Sequence, residues 1–413
     1  EDVSYTLHPD YESLVQVTWQ QSADAEAWVE FSVDDGVWLS SPKKQIAAGD
    51  GEALLLGVPY DWAVDFVVHV DNGSSSSTSD TMTANTGELP NNKATPTVTE
   101  VDSTQWDEDL QYILFSNSDD FQAIIDRQGR VVWLRENNWS GGSLMPRISV
   151  DGADILIETN SYWWQFDNGA ASYVERMKID GSNSTITETP GLHHPYVDLP
   201  DGSIIYGAKN GNSEDLTQVS PDGTSTIIFQ CRDFTDTVSG SPYCGSNTAW
   251  YEASTDTIFW SLYSHDTILE VDRSTGTLLH HFGTKDGAWT FTPANSAFWW
   301  QHGVNILSNG NLITSSHTVE NTEECVVREY EMDYATQTLT EVWSYGVGAG
   351  VTSETMGEAH RLDNGNTLHN NGQGKRLLEV TSDGDIVWNV YWNGFTSELG
   401  STRPIHDLYS LAP

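Results

Sequence analysis

Residues 357–388 read GEAHRLDNGNTLHNNGQGKRLLEVTSDGDIVW, and this stretch decides the fold. Four short segments, around Ala359–Leu362, Thr367–Asn370, Arg376–Val380 and Asp385–Trp388, are cut by turn chemistry at Asn364-Gly365, Gly372–Gly374 and Asp383-Gly384. Asn-Gly and Asp-Gly supply the positive φ that tight hairpins need. Each segment is too short for a globular helix, and Val, Ile, Leu, Thr and Trp suit a half-buried pleated surface. The stretch therefore predicts one four-stranded antiparallel unit.

Working outward, the same punctuation recurs. Asp151-Gly152, Asp180-Gly181, Asp201-Gly202, Asp222-Gly223 and Asn309-Gly310 are strong turns, and Ser254–Asp256, Ser274–Gly276 and Ala335–Gln337 fill the gaps. Taken in pairs they give one unit every ~50–55 residues, the spacing of four-stranded propeller blades. Six units result: 103–140, 143–190, 192–237, 245–290, 298–346 and 354–395. Arg403 to Leu411 is expected to supply a closing strand, since a ring of sheets must join its ends to remove open edges.

Residues 1–95 read as a separate domain, a β-sandwich of immunoglobulin or fibronectin-III type. Alternating strands are expected at Leu14–Trp19, Ala27–Phe31 and Phe66–Val70, with a hairpin at Asp35-Gly36. The polar tract Asn72–Asp80 reads as a loop or edge, and Glu88–Pro96 as a linker whose prolines break both helix and ladder. The expected fold class is all-β: this sandwich, then a six-bladed β-propeller over 96–413.

The 413 residues carry 60 Asp+Glu against 18 Lys+Arg, a net charge of −42. That excludes sequence-independent nucleic-acid binding, which needs a cationic face, and argues against an anionic membrane surface. No apolar run approaches the ~20 residues of a membrane helix. Such acidity suits a solvated surface in brine or seawater; a structural calcium is the other reading, although no stretch has the calcium-loop pattern. No other cofactor is expected. Cys231 and Cys244 flank a short polar loop and are expected to form a disulfide, which points to an oxidising compartment and leaves Cys325 over. The chain starts at Glu1 without an apolar leader and reads as a mature secreted protein, extracellular or periplasmic.

In a propeller the first strand of every blade lines the axis. Three such strands carry histidine at a comparable place: His193 and His194 in GLHHPYVDLPDG, His302 in WQHGVNILSNG, and His360 in GEAHRLDNG. Arg147 and Asn247 occupy the equivalent positions of other units. Two readings stand side by side. Each imidazole forms a sheet-to-sheet hydrogen bond near the axis, or the imidazoles converge on a ligand. Three imidazoles can also hold zinc, but no local spacing supports a metal site here. Tyr162-Trp163-Trp164 and Trp299-Trp300 offer aromatic or sugar-stacking surfaces, and Asn370–Arg376 is a Gly-rich hairpin with a basic tip.

HGVNILSNGNLITSS (302–316), the opening stretch and FQAIIDRQGRVVWL (121–134) together resemble the arylsulfate sulfotransferase family, in its broad secreted bacterial and archaeal branch. The resemblance covers most of 98–411. It implies sulfuryl transfer from a phenolic ester to another phenol without a nucleotide donor, through a transiently sulfated histidine assisted by other histidines and an arginine. His194 and His302 fall where the assisting histidines belong. Laying the family pattern on Asn366-Thr367-Leu368 puts Arg376 at the nucleophile's place, and a guanidinium cannot attack sulfur. Either His360 or His369 substitutes, or this branch does not run that mechanism. The expected site is thus His194, His302 and His360 as catalytic groups, with Arg376, His193, Asn305, His369 and Arg147 contacting substrate. The expected partner is a small phenolic or sulfated ligand. A non-catalytic extracellular module that binds carbohydrate or self-associates is the alternative, and a polysaccharide lyase a third.

Overall fold

The computed structural model describes residues 2–413 except 35, 118–119, 138–141, 160–171, 212, 236–243, 319–323 and 396–397. Among the described residues there is no α-helix; strands alternate with tight turns and short 3-10 turns. Tyr162-Trp163-Trp164 lies outside the described residues.

From residue 97 on, six antiparallel sheets follow one another, each with at least four strands. Sheet 2 runs from Arg147–Ile148 to Thr185–Glu188, sheet 3 from Leu192–Asp198 to Ser225–Gln230, and sheet 4 from Ser246–Glu252 to Leu278–Gly283. Sheet 5 runs from His302–Ile306 to Thr338–Tyr345, with Thr290–Thr292 added in parallel at its outer edge. Sheet 6 begins at Glu358–Arg361 and sheet 1 contains Tyr112–Asn117, Phe121–Asp126 and Val131–Glu136. The unit boundaries read from turn spacing fall close to these sheets.

Both ends of the series close on each other. Leu399–Ile405 pairs with Tyr112–Asn117 and becomes the first strand of sheet 1. Thr97–Val101 pairs with Ile386–Tyr391 and becomes the last strand of sheet 6. The closing strand therefore begins four residues before the expected Arg403, and Leu408–Leu411 forms a 3-10 turn instead. The reach of Thr97–Val101 into the last sheet was not expected.

One apolar cluster fills each gap between neighbouring sheets. Trp388, Leu377, Ile113 and Phe115 join sheets 6 and 1, while Trp133, Ile124, Ile155 and Met177 join 1 and 2. Tyr196, Tyr206 and Leu156 join 2 and 3, Leu216, Ile205 and Trp260 join 3 and 4, Phe282, Phe298 and Tyr330 join 4 and 5, and Val327 and Ala359 join 5 and 6. The first strands of the sheets touch in the same cyclic order, with Arg147 of sheet 2 stacked on Tyr196 of sheet 3. Gly303 makes one approach possible: its φ is +65°, and a Cβ there would sit 2.7 Å from the Glu358 Cα of the next sheet.

Residues 4–85 form two further sheets. Ser4–Leu7, Val15–Gln21 and Gly49–Leu55 make one; Ala25–Asp34 and Ala63–Asp71 centre the other. Strict alternation of buried and partly buried residues in Ala25–Asp34 places Val29 and Phe31 between them. Asn72–Asp80 contains the short edge strand Ser76–Thr78, and Asn92–Ala94 in the expected linker is a 3-10 turn with Ala94 buried. This part rests on sheets 1 and 2 through Tyr11, Leu14 and Leu56, through Ser13 Oγ donating to Val132 O (2.7 Å), and through Arg130 on Asp34.

Candidate functional site

The first strands of sheets 3, 4 and 5 frame a cavity of about 230 Å³ at the end of the axis where those strands begin. His193 and His194 enter from sheet 3, Ser246 and Asn247 from sheet 4, and His302 from sheet 5. Lys209, Tyr263, Met356 and Glu398 complete the lining, whose surface is mainly apolar.

Each axial histidine also reaches the next sheet. His194 Nδ1 lies 3.4 Å from Ser246 O, a carbonyl, so the proton sits on Nδ1 and the lone pair on Nε2. Burial, then the neighbouring His193, holds the His194 imidazole well below its ordinary pKa, so it is unprotonated at neutral pH. His302 Nδ1 faces Trp300 O at 3.0 Å, and its Nε2 accepts from Met356 N at 3.2 Å. Both of its nitrogens thus serve the main chain, and burial pushes its pKa down to about 3. Arg403 Nη1 lies 3.3 Å from His360 Nε2. Asparagines do the same work: Asn247 donates to Gln301 O (2.7 Å), Asn305 to Ala359 O (2.6 Å) and Asn370 to Gly400 O (2.6 Å). The two readings of the histidines therefore coexist. All three lock neighbouring sheets, while His193, His194 and His302 also converge on one cavity.

Glu214 organises the positive side of that cavity. Its Oε1 lies 2.7 Å from His193 Nδ1 and 3.9 Å from Lys209 Nζ, electrostatic contacts rather than aligned hydrogen bonds, and its Oε2 accepts from Ser246 N and Oγ. Burial lowers the Lys209 pKa against the opposing pull of Glu214. The His193 and His194 rings stack at 4.0 Å and 27°. Tyr263 stands 5.0 Å from the His302 ring, and Trp300, 43% exposed, lies 6.5 Å from Tyr263.

The other expected site residues lie elsewhere. His360 is outside the cavity lining, in a cluster with Glu358 and Arg403. Arg147 joins that cluster rather than the cavity. His369, on the second strand of sheet 6, is buried against sheet 5, 3.3 Å from Ser315 Oγ and 3.7 Å from Cys325 Sγ. Arg376 opens the third strand of sheet 6 with its guanidinium 5.9 Å from the Tyr391 ring, and is outside the lining of the histidine cavity. Lys375, the other cation of that hairpin, donates to Phe395 O at 2.7 Å. Cys231 and Cys244 are joined as a disulfide, and Cys325 is free and buried. Among the described residues no group of three His, Cys, Asp or Glu side chains is placed to hold a metal, and no helix is long and apolar enough to cross a membrane.

Sequence reasoning missed Lys209, Glu214, Tyr263, Met356 and Glu398. The only available signal was Lys209, a cation inside the apolar strand IIYGAKN; Glu214 sits on a third strand and the others on connections, with no repeat-equivalent pattern.

Residues 246–394, covering sheets 4 to 6, match the family model described as arylsulfotransferase (ASST), so the resemblance carried by the sequence motifs is borne out and the chain is arylsulfotransferase-like over that stretch. The match includes His302, His360, His369 and Arg376 and excludes His193 and His194. No curated protein matches the chain. Similar solved structures include a protein of unknown function from Bacteroides caccae, with 16% identity over 72% of this chain and 99% of that one and a TM-score of 0.51. Virginiamycin B lyase from Staphylococcus aureus has 13% identity over 77% of this chain and 97% of its own, with a TM-score of 0.43. At 16% identity the likeness to the first is one of fold.

Proposed function

We propose that the chain is a secreted arylsulfotransferase-like protein, a β-sandwich over 1–95 followed by a six-bladed propeller over 96–413, and that its histidine-lined cavity moves a sulfuryl group between phenols. The observation that carries this reading is geometric: His193, His194 and His302 converge on one cavity that Lys209 also lines. His194 replaces His360 as the attacking group. Its Nε2 attacks sulfur and the bond from sulfur to the aryl oxygen breaks. The leaving aryl oxide takes a proton from Lys209, whose charge stabilises the sulfuryl oxygens in transit. An acceptor phenol then attacks the same sulfur, the S–N bond breaks, and the phenol proton returns to that acid. Tyr263 and the exposed Trp300 offer faces for the aromatic ring. The disulfide fits an oxidising compartment.

The test is incubation with an aryl sulfate donor and a phenol acceptor. His194→Ala is expected to lose at least about 100-fold in rate, the scale of removing a key catalytic group, while His360→Gln keeps most of it. A sulfated peptide containing His194 should appear in the mass spectrum of the donor-treated protein. Full activity in His194→Ala overturns the assignment.

One observation favours a second reading, a non-catalytic binder of aromatic ligands. Both nitrogens of His302 are occupied, and among the described residues no arginine lines the cavity. In that case the aryl sulfate binds, with loss of affinity in Tyr263→Ala, and no sulfated product forms.

A further inference from the structure

Along the axis below the cavity, the first strands of sheets 6, 1 and 2 bring charge together. Glu358 is buried, and His360, two residues on, shares its side of the strand. Arg403 pairs with Glu358 Oε1, while Ser401 Oγ (2.8 Å) and Thr402 N (3.1 Å) bind Oε2. Burial would raise the Glu358 pKa, but Arg403 and His360 hold it well below the usual carboxylate range, so it is ionised. A void of about 10 Å³, lined by His302, Met356, Glu358 and Ser401, separates this cluster from the cavity above.

Arg147 has no such partner. It is 7% exposed, its guanidinium lies 5.4 Å from the Tyr196 ring, and its buried Nε and Nη2 have no hydrogen-bond partner. Among the described residues it forms no ion pair. Burial, then repulsion from Arg403, lowers its pKa to about 10. Asp198 exerts a favourable pull on it but is already held by Arg176 and by Val150 N, both at 2.9 Å. Two guanidinium groups thus face one carboxylate, deep in a chain of net charge −42. A buried cation with unmet donors calls for a counter-charge.

We propose that Arg147 and Arg403, beside His360, hold a small inorganic anion on the axis, at a site distinct from the histidine-lined cavity. The anion accepts from Nε and Nη2 of Arg147 and screens its repulsion from Arg403. This does not depend on whether the cavity transfers sulfuryl groups.

Two measurements test it. Crystals of the full chain soaked in sodium bromide should show an anomalous peak within hydrogen-bond distance of the Arg147 guanidinium. In solution, the melting temperature should be a few degrees higher in sodium chloride than in sodium gluconate at equal concentration. That gap should vanish in Arg147→Met and persist in Arg232→Met, a surface control. Absence of the bromide peak, or a gap unchanged in Arg147→Met, overturns the proposal. If Arg147→Met does not fold, the bromide map of the wild-type protein decides alone.

Discussion

Burial, then the neighbouring His317, keeps His302 neutral, and its two nitrogens are both engaged, Nδ1 facing the Trp300 carbonyl and Nε2 accepting from Met356 N. That arrangement has a consequence for stability. The unfolded imidazole takes a proton below about pH 6.5, whereas the folded one resists to about 3. Between those values the unfolded chain binds more protons, so this contribution is complete above pH 6.5 and is lost as pH falls towards 3. Glu158 and Glu270, raised to about 7 by burial, act in the opposite sense, so the net curve is not the measure of His302. The difference between wild type and His302→Asn is. It should narrow by up to about 1.4 kcal/mol per pH unit below 6.5, read from urea midpoints at pH 7, 5 and 4. A constant difference would mean His302 is protonated in the folded protein.

At the scale of elements, the joint between sheets 3 and 4 depends on one covalent staple. Cys231 starts a 3-10 turn directly after the last strand of sheet 3, and Cys244 lies two residues before the first strand of sheet 4. Both are fully buried in the apolar cluster between those sheets. The bond closes a short loop, for which chain entropy gives about 3 kcal/mol. Replacing both cysteines by serine should lower stability by about that amount in urea denaturation, with reductant having no further effect on the variant. A loss below about 0.5 kcal/mol would show that packing of Trp260 and Leu216 alone holds the joint. Closure of the series uses no such bond. It uses two strands, one from each end, and so removes the unpaired edges that Tyr112–Asn117 and Ile386–Tyr391 would otherwise present.

The whole molecule carries −42 with only 18 basic residues, many of them already in ion pairs such as Arg130 with Asp34 and Asp126, Arg176 with Asp154 and Asp198, and Arg361 with Glu329. The remaining carboxylates repel one another across the surface. Raising salt from 0.1 to 1 M shortens the screening length from about 10 to about 3 Å. The melting temperature in sodium gluconate, a bulky anion, should therefore climb steadily over that range. A flat response would show that the acidic surface is already neutralised by bound cations.

Some of this was legible in the residues. Turn dipeptides at regular intervals fix where strands must end, because few residues tolerate positive φ, so the six sheets and their boundaries follow from spacing. Alternation in Ala25–Asp34 fixes its buried face for the same local reason. The histidine-bearing first strands were also visible as repeats. What the sequence does not contain is depth along the axis. His194, His302 and His360 occupy similar places in their repeats, yet register shifts at Leu192/Tyr196 and His302/Asn305 displace their strands. Two imidazoles reach the cavity, and the third lies beyond it beside Arg403. Lys209 and Glu214 join from second and third strands, and Thr97–Val101 finds its partner about three hundred positions away in the chain. Local chemistry set the elements; only closing the sheets on one another set which charges meet, because those meetings depend on distances through space that no spacing along the chain encodes.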